Sequence, residues 1–140
     1  MSMATFSARR MQGFTLVECM TVLAVAVILA GITLPSFRSH DLHTGRLDAV
    51  NALTRVQVAQ EQFRSAHGLY SADFQALRGT APASPQGRYR ITLTLTGPEA
   101  YRATATALGP QGQDQACASI TLEVERGYPR EGPKPSCWLR

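Results

Sequence analysis

"MQGFTLVECMTVLAVAVILAGITLPSF", residues 11–37, is an apolar run that carries one acid, Glu18, close to its start. Residues 14–37 are long enough to cross a bilayer as a helix of about 20 residues. An ionised carboxylate in hydrocarbon costs about 3 kcal/mol even on the lenient insertion scales, so Glu18 at this position calls for a partner. Arg9 and Arg10 precede the run and stay on the cytoplasmic side under the positive-inside distribution, which places everything after residue 37 outside the cytoplasm. An ordinary cleavable signal has a shorter core, a small-x-small site behind it and no acid at its start. Ala30-Gly31-Ile32 matches that pattern poorly.

Beyond the run the chain turns amphipathic. Between residues 42 and 66, Leu47, Val50, Leu53, Val56 and Phe63 recur at helical spacing with Arg46, Asp48, Arg55, Glu61 and Arg64 among them. The two stretches predict one helix over residues 14–67, its second half presenting an apolar stripe to a sheet. Pro35 removes a helical hydrogen bond and predicts a kink; Gly31 and Gly45 weaken the helix on either side. Gly68 suits a left-handed helix cap, and Ser71 a short helical turn reaching Leu77. Residues 79–87, "GTAPASPQG", form a connection.

Residues 89–96, 101–107 and 119–124 alternate apolar and polar side chains and are rich in β-branched and aromatic types, so they predict three strands. Gly97-Pro98-Glu99-Ala100 closes the first two into a hairpin. The tail "GYPREGPKPSCWLR" is too rich in proline to predict a regular strand. The fold class that follows is α+β: a long N-terminal helix, half membrane-spanning and half amphipathic, packed on a small antiparallel β-sheet.

The 140 residues hold 14 basic and 10 acidic side chains, a formal charge of +4. Without Arg9 and Arg10 the basic count is 12 against 10, too even to argue for nucleic acid alone. Cys19 lies in the apolar run and reads as a small buried thiol. Cys117 and Cys137, near the C-terminus behind an export-type N-terminus, suggest a disulfide; a zinc site would need two further ligands. His40-Asp41-x-His43 places two imidazoles and a carboxylate close in sequence but lacks a distant third ligand, and His67 stands alone by a helix end. No nucleophile elbow or phosphate-cradling glycine loop is present, so neither an enzyme nor a cofactor or metal is expected.

The junction Gly13-Phe14-Thr15-Leu16-Val17-Glu18 resembles the class III leader of type IV pilins and type II secretion pseudopilins. Gly68-Leu69-Tyr70 resembles the segment with which pilins leave their long helix, and "YRATATALGPQ" with the Cys-Trp pair at 137 and 138 resembles small pilins of the type IVa kind, especially the minor pilins. The resemblance implies a leader at 1–13, an assembly helix at 14–37 and a pilin head at 38–140. It implies cleavage between Gly13 and Phe14 by a prepilin peptidase and N-methylation of Phe14. Glu18 becomes the fifth residue of the mature chain, where its carboxylate meets the Phe14 amine of a neighbouring subunit, and Pro35 marks a bend that bears on assembly.

The implied function is that of a structural subunit of a type IV pilus, a minor pilin serving adhesion, twitching motility or DNA uptake. Its partners are other pilins, the peptidase, the inner-membrane assembly machinery and the membrane itself. It sits first as a single-pass inner-membrane protein with a periplasmic head and then in the surface pilus. Two other readings use the same scaffold. One is a pilus-borne receptor for DNA or a surface, with Arg88, Arg90, Arg102, Arg126, Arg130 and Lys134 as a basic face; the other is a secretion pseudopilin.

Overall fold

In the computed structural model of the chain the described residues are Gly13 and 15–140, with side chains left out at 33–36 and 38. One helix, α1, runs Leu16–His67, and four strands follow: β1 Tyr89–Gly97, β2 Ala100–Ala107, β3 Ser119–Glu125 and β4 Tyr128–Gly132. Three short 3-10 turns, Gly109–Gln113, Gln115–Cys117 and Pro135–Trp138, complete the order. The chain divides into two compact units, Met1–Phe37 and Arg38–Arg140.

In the first unit Leu16, Val17, Met20, Leu23, Val27, Ile28 and Ile32 are all largely exposed. No helix among the described residues is long and apolar enough to cross a membrane. The span expected over 14–37 includes Phe14 and the side chains of 33–36, which lie outside the described residues.

The second unit is a helix laid on a sheet of order β1-β2-β3-β4, antiparallel throughout. Tyr89, Ile91, Tyr101, Ala103, Ala105, Ile120, Leu122 and Val124 come from the inner face of the sheet, and Ala49, Ala52, Leu53 and Val56 from α1. Ala49 of α1 and Ala103 and Ala105 of β2 are fully buried in this core. Leu53 and Val56 are buried as expected, whereas Leu47 is exposed. The reason is that Ala49 and Ala52 lie on the inner stripe, with the partly buried Val50 packed against the core, while Leu47 falls outside it.

Local signals end the elements where the residues allow. Gly68 takes φ +77 and its N–H returns to Arg64 O at 2.7 Å, closing α1. The segment after it is held by the buried Gln60, whose amide donates to Ser71 O at 2.6 Å and accepts from Ser71 N–H at 3.0 Å. Tyr70 packs edge-on against Tyr101 at 4.8 Å and donates to Glu61 at 2.8 Å. Instead of the expected helical turn from Ser71, successive turns follow, in which Ser71 Oγ accepts from Asp73 N–H and Asp73 accepts from Gln75 N–H.

The proline-rich tail does contain a strand. Residues Tyr128–Gly132 pair with β3, with Pro129 opposite Val124. This corrects the sequence expectation: β4 is an edge strand, so a proline there need not break a ladder bond on both sides. The connection at 79–87 is fastened to the helix by Asp48, a buried carboxylate that accepts from Ser84 Oγ, from Gln86 N–H at 2.9 Å and from Arg88 N–H at 3.2 Å.

Candidate functional site

At the start of α1 the backbone N–H of Glu18 donates to Thr15 Oγ1 at 3.3 Å. Thr15-x-x-Glu18 is therefore a helix-starting capping pattern, a local signal that the Gly-Phe junction beside it overshadows. Glu18 also lies in the first helical turn, where its charge opposes the partial positive charge of the helix N-terminus. Its carboxylate makes no ion pair among the described residues. Gly13 has open space around it, and Phe14, the expected new N-terminus, lies outside the described residues. Cys19 is exposed rather than packed in the isolated chain. The backbone is helical through Pro35 and Gly45; the kink expected at Pro35 rests on a side chain outside the described residues.

Gly45 has a specific role in the head. A Cβ there would lie 2.0 Å from Gln111 Oε1 and 2.8 Å from its carbonyl carbon. The bare helix surface lets the buried Gln111 amide reach α1, where Nε2 donates to Leu42 O at 2.9 Å and to Tyr89 Oη at 3.0 Å. Beside it Arg46 pairs with Asp114 at 2.7 and 3.0 Å with only 15% and 6% of the two side chains exposed. The hydrogen bond to Asp114 raises the Arg46 pKa further above its ordinary value, outweighing the opposing effect of burial. Helix and loop are thus clamped by a hydrogen-bonded amide and a charge-assisted pair.

Cys117 and Cys137 form a disulfide with Cα atoms 5.5 Å apart. It ties the last 3-10 turn to the loop before β3, and Trp138 Nε1 completes the closure by donating to Gly132 O at 3.0 Å. Among the described residues no group of His, Cys, Asp or Glu could hold a metal, and Asp41 of the His40–His43 stretch is engaged by Arg88 at 3.2 Å.

The structure only partly assembles the basic residues singled out from sequence. Arg90, Arg102 and Arg130 do share the outer face of the sheet, where Thr94, Arg102, Glu123 and Arg130 form one cross-strand row. Acids interleave them, however. Arg102 pairs with Glu123 at 2.7 Å and Arg126 with Glu125 at 3.7 Å, while Arg88 is drawn to Asp41 on the helix. Lys134 is exposed beside the C-terminal turn. A cleft of about 430 Å³ at the turn end of the sheet is lined by Arg126, Arg130 and Tyr128 but also by Glu99, Glu123 and Glu125.

A second cluster escaped the sequence reading. Arg55 on α1 and Arg78 on the segment that folds back along it line one cleft of about 360 Å³ with Thr54, Val58, Gln62 and Gly79. No carboxylate lines it, and neither arginine has an ion-pair partner within 4 Å among the described residues. No local motif links the two positions; only the return of the chain after Gly68 brings them together. Positive potential is less compensated here than at the sheet end.

Residues 8–34 match the family model of the prokaryotic N-terminal methylation motif. Residues 35–121 match the model described as type IV minor pilin ComP, DNA uptake sequence receptor. Fimbrial protein EcpC of Eikenella corrodens is 30% identical over 112 residues, 75% of this chain and 72% of the relative. Type IV major pilin protein PilA of Myxococcus xanthus (strain DK1622) is 37% identical over 82 residues, 59% of this chain and 36% of the relative.

Proposed function

The chain belongs to the type IV minor pilins, and from that premise we propose that it is cut after Gly13, methylated on Phe14 and built into a pilus that takes up DNA. The methylation-motif match over residues 8–34 supports the processing step. In this reading residues 1–13 are the leader, 14–37 hold the chain in the inner membrane until the assembly machinery extracts it, and 38–140 form the head. Glu18, free of an ion pair among the described residues, meets the Phe14 amine that prepilin peptidase exposes on a neighbouring subunit. Each charge is costly in an apolar fibre core, and pairing offsets both.

DNA is the ligand that the minor-pilin match favours over an adhesive surface, because that family model is described as a DNA uptake sequence receptor. The groove of Arg55 and Arg78 supplies phosphate contacts without a neighbouring carboxylate to repel the strand. The observation that carries this assignment is that contrast with the sheet-end cleft, where three glutamates face two arginines.

The test is a salt titration of duplex DNA binding by the full chain in detergent micelles. Each phosphate contact contributes about −0.9 to the slope of log affinity against log salt, so replacing both Arg55 and Arg78 by Ala lowers its steepness by about 2. The Arg90→Ala, Arg130→Ala pair changes it less. Absence of salt-dependent binding in the unmodified chain removes the DNA role and leaves the pilin assignment intact.

A further inference from the structure

Strand β1 is the outer strand of the sheet on the side away from β4. Among the described residues its free edge is covered only at one end. Ile91 N–H donates to Pro82 O at 2.9 Å and Ser84 N–H to Tyr89 O at 2.9 Å, so the connecting segment caps the edge up to Ile91. These bonds also fix the orientation: the odd-numbered residues of β1 direct their backbone polar groups away from β2. At Leu93 and Leu95 those groups have no backbone partner among the described residues. The open edge ends at the irregularity between Leu95 and Gly97.

The side chains along this edge carry none of the usual protections. Residues 92–96 read Thr-Leu-Thr-Leu-Thr, with no charge and no proline. Thr92, Thr94 and Thr96 are exposed, Leu93 is half-buried and Leu95 is 47% exposed although it lies on the core side of the strand. An open edge with high β-propensity and an unfinished apolar face fits an added strand.

The stretch is also a palindrome about Thr94. In an antiparallel pair of identical strands centred there, Leu93 of each copy meets Leu95 of the other, and Thr92 meets Thr96. The outward backbone groups of Leu93 and Leu95 then exchange ladder bonds, and the leucines pair on one face while the threonines pair on the other. The charges at the ends agree with this register. Arg90 and Glu99 make no ion pair within 4 Å among the described residues, and the register carries the Pro98–Glu99 turn of one copy to the level of Arg90 of the other.

We propose that the β1 edge, residues 92–96, docks a second copy of this chain through a two-fold strand pair centred on Thr94. The interface is isologous, joining two sheets into one, and it is separate from the groove of Arg55 and Arg78. It rests on the edge geometry and the palindrome, and does not depend on the DNA reading.

The experiment uses the full chain in membranes and in detergent, with Cys19→Ser to remove the exposed thiol and the native disulfide left in place. Thr94→Cys puts a thiol on the two-fold axis, within disulfide reach of its copy. Thr92→Cys is the comparison, since the two-fold separates it from its copy by roughly 13 Å along the strands at ~3.3 Å per residue. On mild oxidation the Thr94→Cys chain forms disulfide dimers at least tenfold faster than the Thr92→Cys chain. Adding Leu95→Lys abolishes them while the unfolding midpoint of the head stays within a few degrees of the parent chain. Equal rates at the two positions, dimers unaffected by Leu95→Lys, or cross-links from the Thr94→Cys thiol to a different protein would each overturn the proposal.

Discussion

Single residues carry several of the joints. Gly45→Ala places a better helix former in α1, a gain of about 1 kcal/mol from propensity alone. The added Cβ nevertheless drives out the Gln111 amide, which must surrender its bonds to Leu42 O and Tyr89. The variant is expected to lose about 1 kcal/mol net in denaturant unfolding, and Gln111→Ala in the same chain should relieve the clash. The core tyrosines predict the pH response. Burial pushes the phenols of Tyr70, Tyr89 and Tyr101 above their ordinary value. Their contribution is fully present below the unfolded value of about 10 and is lost as pH rises through the higher folded values. Thermal midpoints should therefore stay level to about pH 10 as far as these groups decide, then fall together with a phenolate absorbance rise on unfolding. The Tyr101 hydroxyl is buried without a partner among the described residues, so Tyr101→Phe should hold or raise stability by up to about 1 kcal/mol. The purpose of Gly45 was hidden in the sequence because Gln111 reaches it from a distant loop. Thr15-x-x-Glu18 was readable but was masked by the more conspicuous Gly-Phe junction beside it.

At the scale of elements, the disulfide and the Arg46–Asp114 pair hold the irregular C-terminal third to the helix. By the loop-closure estimate for a 20-residue separation, reducing the Cys117–Cys137 bridge costs about 3 kcal/mol, measured as the shift in unfolding free energy with and without reductant. Arg46→Ala leaves Asp114 nearly buried without its cation and is expected to cost about 3 kcal/mol; replacing both partners costs less than the single change. The periodicities of α1 and β1 to β3 were legible because each is a local pattern. Strand β4 was not, because proline argues against a strand until the sheet order makes it an edge. The inner face of α1 was half legible: Leu53 and Val56 stood out, whereas the alanines that lie on the stripe carry no strong hydropathic signal.

The chain divides into two units, and the second, Arg38–Arg140, holds its own core and cross-link. The methylation motif was readable from a few residues in a fixed order, and residues 8–34 match its family model. The groove of Arg55 and Arg78 was not readable, since the two acquire meaning only once the chain has folded back on α1. In the proposed reading, processing after Gly13 is the event on which assembly depends, since it would create the amine that Glu18 needs. The most direct measurement is the intact mass and N-terminal sequence of the chain from sheared surface fibres and from membranes, with and without prepilin peptidase. A chain in the fibres that begins at methylated Phe14, and is absent when the peptidase is absent, is the predicted result. A fibre chain retaining Met1, or one cut behind the apolar run, would leave Glu18 without its partner and contradict the account.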